Sequence, residues 1–144
     1  MEPYADSSFL VSCYVLDSNT PRAKAYLLQT NQPLGFTSLH ALEVRNALKL
    51  GIFRGLLSAA DANAAWANLE RDLQSGRLVK KWVNWPVAFR IASRFSERHS
   101  ATLGTRSLDI LHVAAAKALR AAAFVSFDVR QQALAATVGM KVVP

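Results

Sequence analysis

Residues 124–128 read Phe124-Val125-Ser126-Phe127-Asp128, an apolar segment that ends in a carboxylate just before a helical pattern over residues 129–137. The same arrangement opens the chain, where the short apolar segment 3–5 is followed by Asp6 and a second helical pattern. Ligand sites in parallel α/β sheets form at the carboxyl ends of the strands. If both strands are central, we expect Asp6 and Asp128 to converge on one crevice.

The rest of the chain alternates in the same way between short apolar segments and longer segments with helical periodicity. The sequence predicts strands near residues 3–5, 34–37, 78–83, 124–127 and 140–143, and helices near residues 7–16, 21–29, 38–50, 58–74, 86–99, 108–121 and 129–137. This alternation is typical of an α/β fold with a mostly parallel central sheet flanked by helices on both faces. No internal repeat or Ser/Gly linker divides the sequence, so we expect one domain over residues 1–144.

Composition restricts the class of protein. With 51% hydrophobic and 19% charged residues, the sequence is not that of a disordered chain. Lys and Arg number 17 against 10 Asp and Glu, a net charge of +7, which indicates a polyanionic partner or simply a positive surface. No apolar run reaches the roughly 18 residues of a membrane span, the first residues lack a signal-peptide pattern, and the lone Cys13 cannot form an internal disulfide. We expect a cytoplasmic protein without a membrane partner.

Two further acids stand in apolar surroundings. Asp109 lies at the start of a predicted buried helix, and Glu43 shares a helical stripe with Leu39, Asn46 and Leu50 that we expect to face inward. A carboxylate on an inward stripe must be paired, protonated or bound to metal. Four carboxylates that met without a cation would repel one another. Oxygen-only ligation suits Mg²⁺ or Mn²⁺, so the four acids predict a metal site.

Each acid also has a simpler explanation. The two strand-end acids could be helix N-caps, Asp109 could be a first-turn acid favoured by the helix dipole, and Glu43 could pair with an arginine. Ser8 and Ser126 lie beside the strand-end acids and could position water or metal, although local capping is the simpler account. The histidines show no zinc-like spacing, and the sequence has neither a glycine-rich nucleotide loop nor a GxSxG motif.

Taken together and in order, four segments of the chain resemble the PIN domain family. They are Tyr4-Ala5-Asp6-Ser7-Ser8-Phe9-Leu10, Ala41-Leu42-Glu43-Val44, Arg106-Ser107-Leu108-Asp109-Ile110-Leu111-His112-Val113-Ala114 and Phe124-Val125-Ser126-Phe127-Asp128. Within that family, the sequence looks most like the VapC toxins of bacterial and archaeal toxin–antitoxin pairs. The similarity extends over essentially the whole chain.

The resemblance implies an endoribonuclease dependent on Mg²⁺ or Mn²⁺, with Asp6, Glu43, Asp109 and Asp128 as its first to fourth acids and Ser126 as the small polar residue before the last acid. We expect Asp6 and Asp109 to ligate metal directly, and Asp128 to complete the site directly or through water. Glu43 would ligate a second ion or orient the attacking water. The resemblance also implies a tRNA or rRNA substrate, a cognate antitoxin that covers the site, and a homodimer.

Basic residues predict two surfaces that could contact RNA. Arg90, Arg94 and Arg98 recur every fourth residue along one predicted helix, which places them on one face. Lys80 and Lys81 stand beside tryptophans, and charge next to aromatic rings is typical of surfaces that bind single-stranded RNA. A solvated helix face, and tryptophans used in the core or a dimer contact, are the alternatives.

Two other classes of protein share parts of this pattern. A signalling receiver domain also gathers acids at strand ends, but it usually has a pair of acids after the first strand, whereas Asp6 is followed by two serines. A non-catalytic RNA- or protein-binding module could retain the fold alone. The complete set of four acids argues against that reading, because a module without catalysis has no need of them.

Overall fold

The computed structural model describes residues 1–144, and its elements follow the order predicted from the sequence. In chain order they are β1 (Tyr4–Ala5), α1 (Ser7–Tyr14), α2 (Thr20–Thr30), β2 (Leu34–Phe36), α3 (Ser38–Phe53), α4 (Ala59–Ser75), β3 (Leu78–Lys80), α5 (Trp85–Phe95), a π-helical turn (Ser96–Ser100), α6 (Ala101–Leu103), α7 (Ser107–Ala118), β4 (Phe124–Val125), α8 (Val129–Thr137) and β5 (Val142–Val143). All five strands are paired in parallel, which confirms the predicted α/β class. None of the helices combines the length and hydrophobicity that a membrane span requires.

Contacts divide the chain into two units. The first unit contains Met1–Asp6 and Lys81–Pro144, so it is built from both ends of the sequence, and the second unit contains Ser7–Lys80. In the second unit β2 pairs with β3, with Leu34 opposite Leu78. Helix α1 packs on α2, α3 and α4.

In the first unit β4 lies between β1 and β5, and Phe124 is the register partner of both Tyr4 and Val142. Helix α7 packs against α5 and α8. Every residue of α7 from position 109 to 116 is buried, which confirms the prediction of a buried helix in this part of the chain. The core joins α7, α8 and the strands, and its buried members are Tyr4, Ile110, Val113, Ala115, Ala116, Phe124, Leu134 and Ala135.

Helix ends follow local chemistry. The Ser58 hydroxyl accepts a hydrogen bond from the Asp61 N–H at 3.0 Å, and Gly76 ends α4 at φ +81°, where a side chain would be strained. The predicted helix over residues 86–99 is interrupted, because α5 ends at Phe95 and a π-helical turn follows. The prediction that Arg90, Arg94 and Arg98 lie on one α-helix is therefore wrong for Arg98, which belongs to the π-helical turn.

The predicted inward stripe of α3 is also wrong. The buried residues of this helix are Leu39, His40, Val44 and Leu48, whereas Leu42 is 67% exposed and Leu50 37% exposed. The buried face is therefore centred on Val44, and Glu43 is half-buried at its edge. The buried face was predicted wrongly because leucines occur on several sides of this helix, and periodicity alone does not show which of them are buried.

We predict that Leu134→Ala destabilises the protein by about 2–5 kcal/mol, because Leu134 is fully buried in the core of the first unit and its loss leaves a cavity. Urea denaturation of the variant measures the change in the free energy of unfolding. Leu28→Ala is the matched control, since Leu28 is 84% exposed and its truncation leaves no cavity. Equal losses in the two variants would contradict this account of the core.

Candidate metal centre

Asp6 and Ser126 meet at the carboxyl ends of β1 and β4. Both side chains are fully buried, and the Ser126 hydroxyl donates a hydrogen bond to Asp6 Oδ2 at 2.7 Å. The contact follows from the parallel register, which pairs Ala5 with Val125 and so places the next residue of each strand side by side. A carboxylate removed from water needs such a donor. The structure thus brings together two residues that the sequence predicted at strand ends.

Asp128 caps helix α8. Its Oδ1 accepts hydrogen bonds from the backbone N–H groups of Arg130 at 2.9 Å and Gln131 at 3.1 Å. The Asp128 N–H in turn donates to the hydroxyl of Ser126 at 2.9 Å. The capping role foreseen as the simpler explanation is therefore present, and the same serine contacts both strand-end acids.

Asp109 lies in the first turn of α7 and is buried. Its Oδ1 accepts a hydrogen bond from Gln131 Nε2 at 3.1 Å, and its Oδ2 lies 3.5 Å from Arg106 Nε. The Arg106 side chain is largely exposed, so solvent screens this ion pair and its contribution is at most about 1 kcal/mol. Sequence reasoning missed Gln131. The signal available was the spacing Asp128-x-x-Gln131 at the start of a helical segment, which is typical of a capping box.

These contacts form one hydrogen-bonded network, the acid network, which links Asp6, Ser126, Asp128, Gln131 and Asp109 in that order. No group of three or more His, Cys, Asp or Glu side chains is arranged as a ready-made metal site. The side-chain atoms that could bind a cation are nevertheless all oxygens. One further oxygen, Gln131 Oε1, is buried without a hydrogen-bond partner. Mg²⁺ binds through one or two carboxylates and keeps several waters. The residues present fit a cation of that kind.

Glu43 belongs to the second unit, where the Ser7 hydroxyl donates a hydrogen bond to Glu43 Oε1 at 2.9 Å. Ser7 is buried, whereas Ser8, the serine selected from the sequence, is exposed. Because Ser7 and Ser8 are adjacent, the sequence alone could not show which of them contacts an acid. The hydrogen bond at Glu43 Oε1 thus comes from a serine, whereas an arginine partner was the simpler explanation offered for this acid.

The predicted RNA-contacting residues differ in their surroundings. Lys80, Arg90, Arg94 and Arg98 are exposed. The Lys81 ammonium lies 2.7 Å from Glu2 Oε2, and this hydrogen-bonded partner lowers the pKa of the Glu2 carboxyl. The charge of Lys81 is thus balanced within the protein. Trp82 is 92% exposed, whereas Trp85 packs against the core of the first unit.

A cavity of about 500 Å³ lies elsewhere, in the second unit, and none of the four acids lines it. Its lining includes Cys13 and Tyr14, whose hydroxyl donates to Asp72 Oδ2 at 2.7 Å. Burial, reinforced by the charges of Asp72 and Asp17, raises the pKa of the Cys13 thiol to about 12. A thiol that stays protonated at neutral pH is a poor nucleophile. None of the residues of the acid network lines this cavity.

Comparison with known proteins gives one family and two similar folds. The PIN domain family model matches residues 4–136. PAE2754 from Pyrobaculum aerophilum has 17% identity and a TM-score of 0.62, with 99% of this chain and 83% of that one covered. FitAcB from Neisseria gonorrhoeae has 17% identity and a TM-score of 0.62, with 98% of this chain and 96% of that one covered. These two likenesses concern the fold alone, and no curated protein matches the chain.

We predict that Ser126→Ala lowers the free energy of unfolding by about 1–3 kcal/mol, because the buried Asp6 carboxylate loses a charge-assisted hydrogen bond. Thermal or urea unfolding without added metal measures the loss. Ser93→Ala, at an exposed position of α5, is the control and is expected to leave stability almost unchanged. A Ser126→Ala variant as stable as the control would show that Asp6 does not depend on this serine.

Proposed function

The chain belongs to the PIN domain family, and on that premise we propose that it is a metal-dependent endoribonuclease and the toxin of a toxin–antitoxin pair. PIN domains are generally nucleases, which supports phosphodiester hydrolysis at the level of the family. The observation that carries the proposal is the acid network, because it links Asp6 and Asp128, which follow β1 and β4, to Asp109 in the first turn of α7. A parallel α/β fold places its ligand sites at such an edge.

Each acid has a distinct part in the proposal. Asp6 and Asp109 are buried carboxylates and would hold the cation directly. Asp128 would contribute through water, since its Oδ1 is already engaged at the start of α8. Glu43, held by Ser7, would orient the attacking water or ligate a second ion. When bound, Mg²⁺ or Mn²⁺ supplies Lewis-acid stabilisation of the phosphate and a lowered pKa of a water ligand.

The proposed reaction is hydrolysis by water. The water oxygen forms a bond to phosphorus, the bond from phosphorus to the 3′ oxygen breaks, and that oxygen takes up a proton. The products are a 5′-phosphate and a 3′-hydroxyl. Attack by the ribose 2′-hydroxyl would instead leave a 2′,3′-cyclic phosphate and a 5′-hydroxyl, so the ends of the product distinguish the two routes.

Several surface features support RNA as the substrate. The net charge is +7, and the exposed basic residues include Lys80, Arg90 and Arg94. Trp82 presents its ring to solvent one residue after Lys81, and aromatic rings beside positive charge stack on unpaired bases. We propose a structured RNA such as tRNA or an rRNA loop, cleaved in the cytoplasm.

The resemblance to VapC toxins extends the proposal to protein partners. A cognate antitoxin would hold the enzyme inactive, and two copies of the chain would form a homodimer. A small open reading frame beside the gene, whose product binds this chain and suppresses its activity, would support the pairing.

One observation favours a second candidate, a non-catalytic RNA-binding module. No group of three or more metal-binding side chains stands preformed, and Asp128 is engaged as a helix cap. Such a module would bind RNA without cleaving it, whatever cation is added. The same assay therefore separates the two candidates.

We predict that the purified protein cleaves total RNA in Mn²⁺ or Mg²⁺ and that EDTA abolishes cleavage. Asp6→Asn and Asp109→Asn are expected to lower the cleavage rate by roughly 100-fold or more. Loss of a residue that only supports a metal's ligand can already cost roughly 100-fold in activity. Asp61→Asn is the matched control, because Asp61 is exposed in the first turn of α4. Cleavage at equal rates by wild type and all three variants would refute the proposed site. RNA binding without cleavage would favour the second candidate.

A further inference from the structure

Gln131 connects two acids that lie on different helices. Its side-chain Nε2 donates to Asp109 Oδ1 on α7, and its backbone N–H donates to Asp128 Oδ1 at the start of α8. Both donor–acceptor distances are 3.1 Å, and the side chain is 95% removed from solvent. One residue thus fixes the positions of two of the proposed metal-site acids.

The amide oxygen of the same residue has no partner. Gln131 Oε1 is buried and accepts no hydrogen bond within the protein. The reason lies in the local sequence, because Gln131 is the third residue of α8 and Asp128 is its N-cap. In a capping box the side chain at this position accepts the N–H of the N-cap residue. Here the Asp128 N–H donates to Ser126 Oγ instead, so Gln131 Oε1 is left available.

A buried acceptor without a donor is rare, and in native proteins it indicates a missing water or ion. The two carboxylates that Gln131 contacts cannot satisfy it when they are ionised, because Asp109 Oδ1 and Asp128 Oδ1 both accept hydrogen bonds from Gln131 itself. A bound water or a water ligand of a cation would supply the donor that Oε1 lacks. The water ligands of Mg²⁺ are strong donors, because the cation polarises their O–H bonds, and residues around a metal's ligands commonly orient them in this way.

We infer that Gln131 is a positioning residue of the metal centre, whose Nε2 holds Asp109 while its Oε1 accepts a hydrogen bond from a water ligand of the bound cation. This rests on the proposed function, since it requires a cation at the acid network. It adds a fifth side chain to the four acids. It also explains why a neutral amide, able both to donate and to accept, stands between two carboxylates.

The test is Mn²⁺ binding to the intact protein without RNA. The electron paramagnetic resonance signal of free Mn²⁺ measures the fraction that is bound. Gln131→Met keeps the length of the side chain but removes both donor and acceptor. Gln131→Glu retains an acceptor oxygen. Gln74→Met, at an exposed position of α4, is the matched control. Unfolding of each variant without metal shows whether the fold is intact.

We expect Gln131→Met to bind Mn²⁺ about 10-fold more weakly than wild type. Gln131→Glu should bind more tightly than Gln131→Met, because it loses the donor to Asp109 but keeps the acceptor oxygen. A purely structural role would lower the unfolding midpoint and leave the affinity of the folded protein unchanged. Mn²⁺ affinity of Gln131→Met within about twofold of wild type would overturn the inference and leave the metal centre standing. Equal weakening in the Met and Glu variants would overturn the acceptor role of Oε1. Wild type that binds no Mn²⁺ would overturn the metal centre, and this inference with it.

Discussion

The fully buried carboxylate of Asp6 is the constraint on which the site depends. Because the carboxylate is buried, it needs hydrogen-bond donors from the protein, and the parallel pairing of β1 with β4 supplies the Ser126 hydroxyl. Ser126 then accepts the N–H of Asp128, and Asp128 in turn caps α8. The start of α8 carries Gln131, which reaches Asp109 on α7. A single strand register therefore fixes three acids through two neutral side chains.

The sequence predicts the parts of this arrangement that depend on local pattern. Asp6 and Ser126 stand at the ends of apolar segments, and the apolar run after Asp109 marks a buried helix. These residues and this helix could therefore be placed without a structure. Gln131 could not, because its side chain makes a contact with a residue 22 positions away that competes with the capping box its own spacing favours. Periodicity likewise misplaced the buried face of α3, and nothing in the sequence marked the π-helical turn at Ser96–Ser100.

Charge is distributed in a way that the net value of +7 conceals. Three of the ten acids belong to the acid network, and Glu2 is paired with Lys81. Exposed basic residues such as Arg90 and Arg94 remain to attract a polyanion, while the acids provide a place for a cation. The proposed function would use both features, since hydrolysis of a phosphodiester requires a bound polyanion and a way to offset its charge.

The central claim is that the acid network binds a divalent cation through Asp6 and Asp109. A crystal soaked in Mn²⁺ and measured at a wavelength where manganese scatters anomalously tests this claim directly, because the signal locates the ion. We expect an anomalous peak at bonding distance from both carboxylates, with Gln131 Oε1 facing a water on the ion. A peak at another place, or no ordered manganese beside these carboxylates, would contradict it.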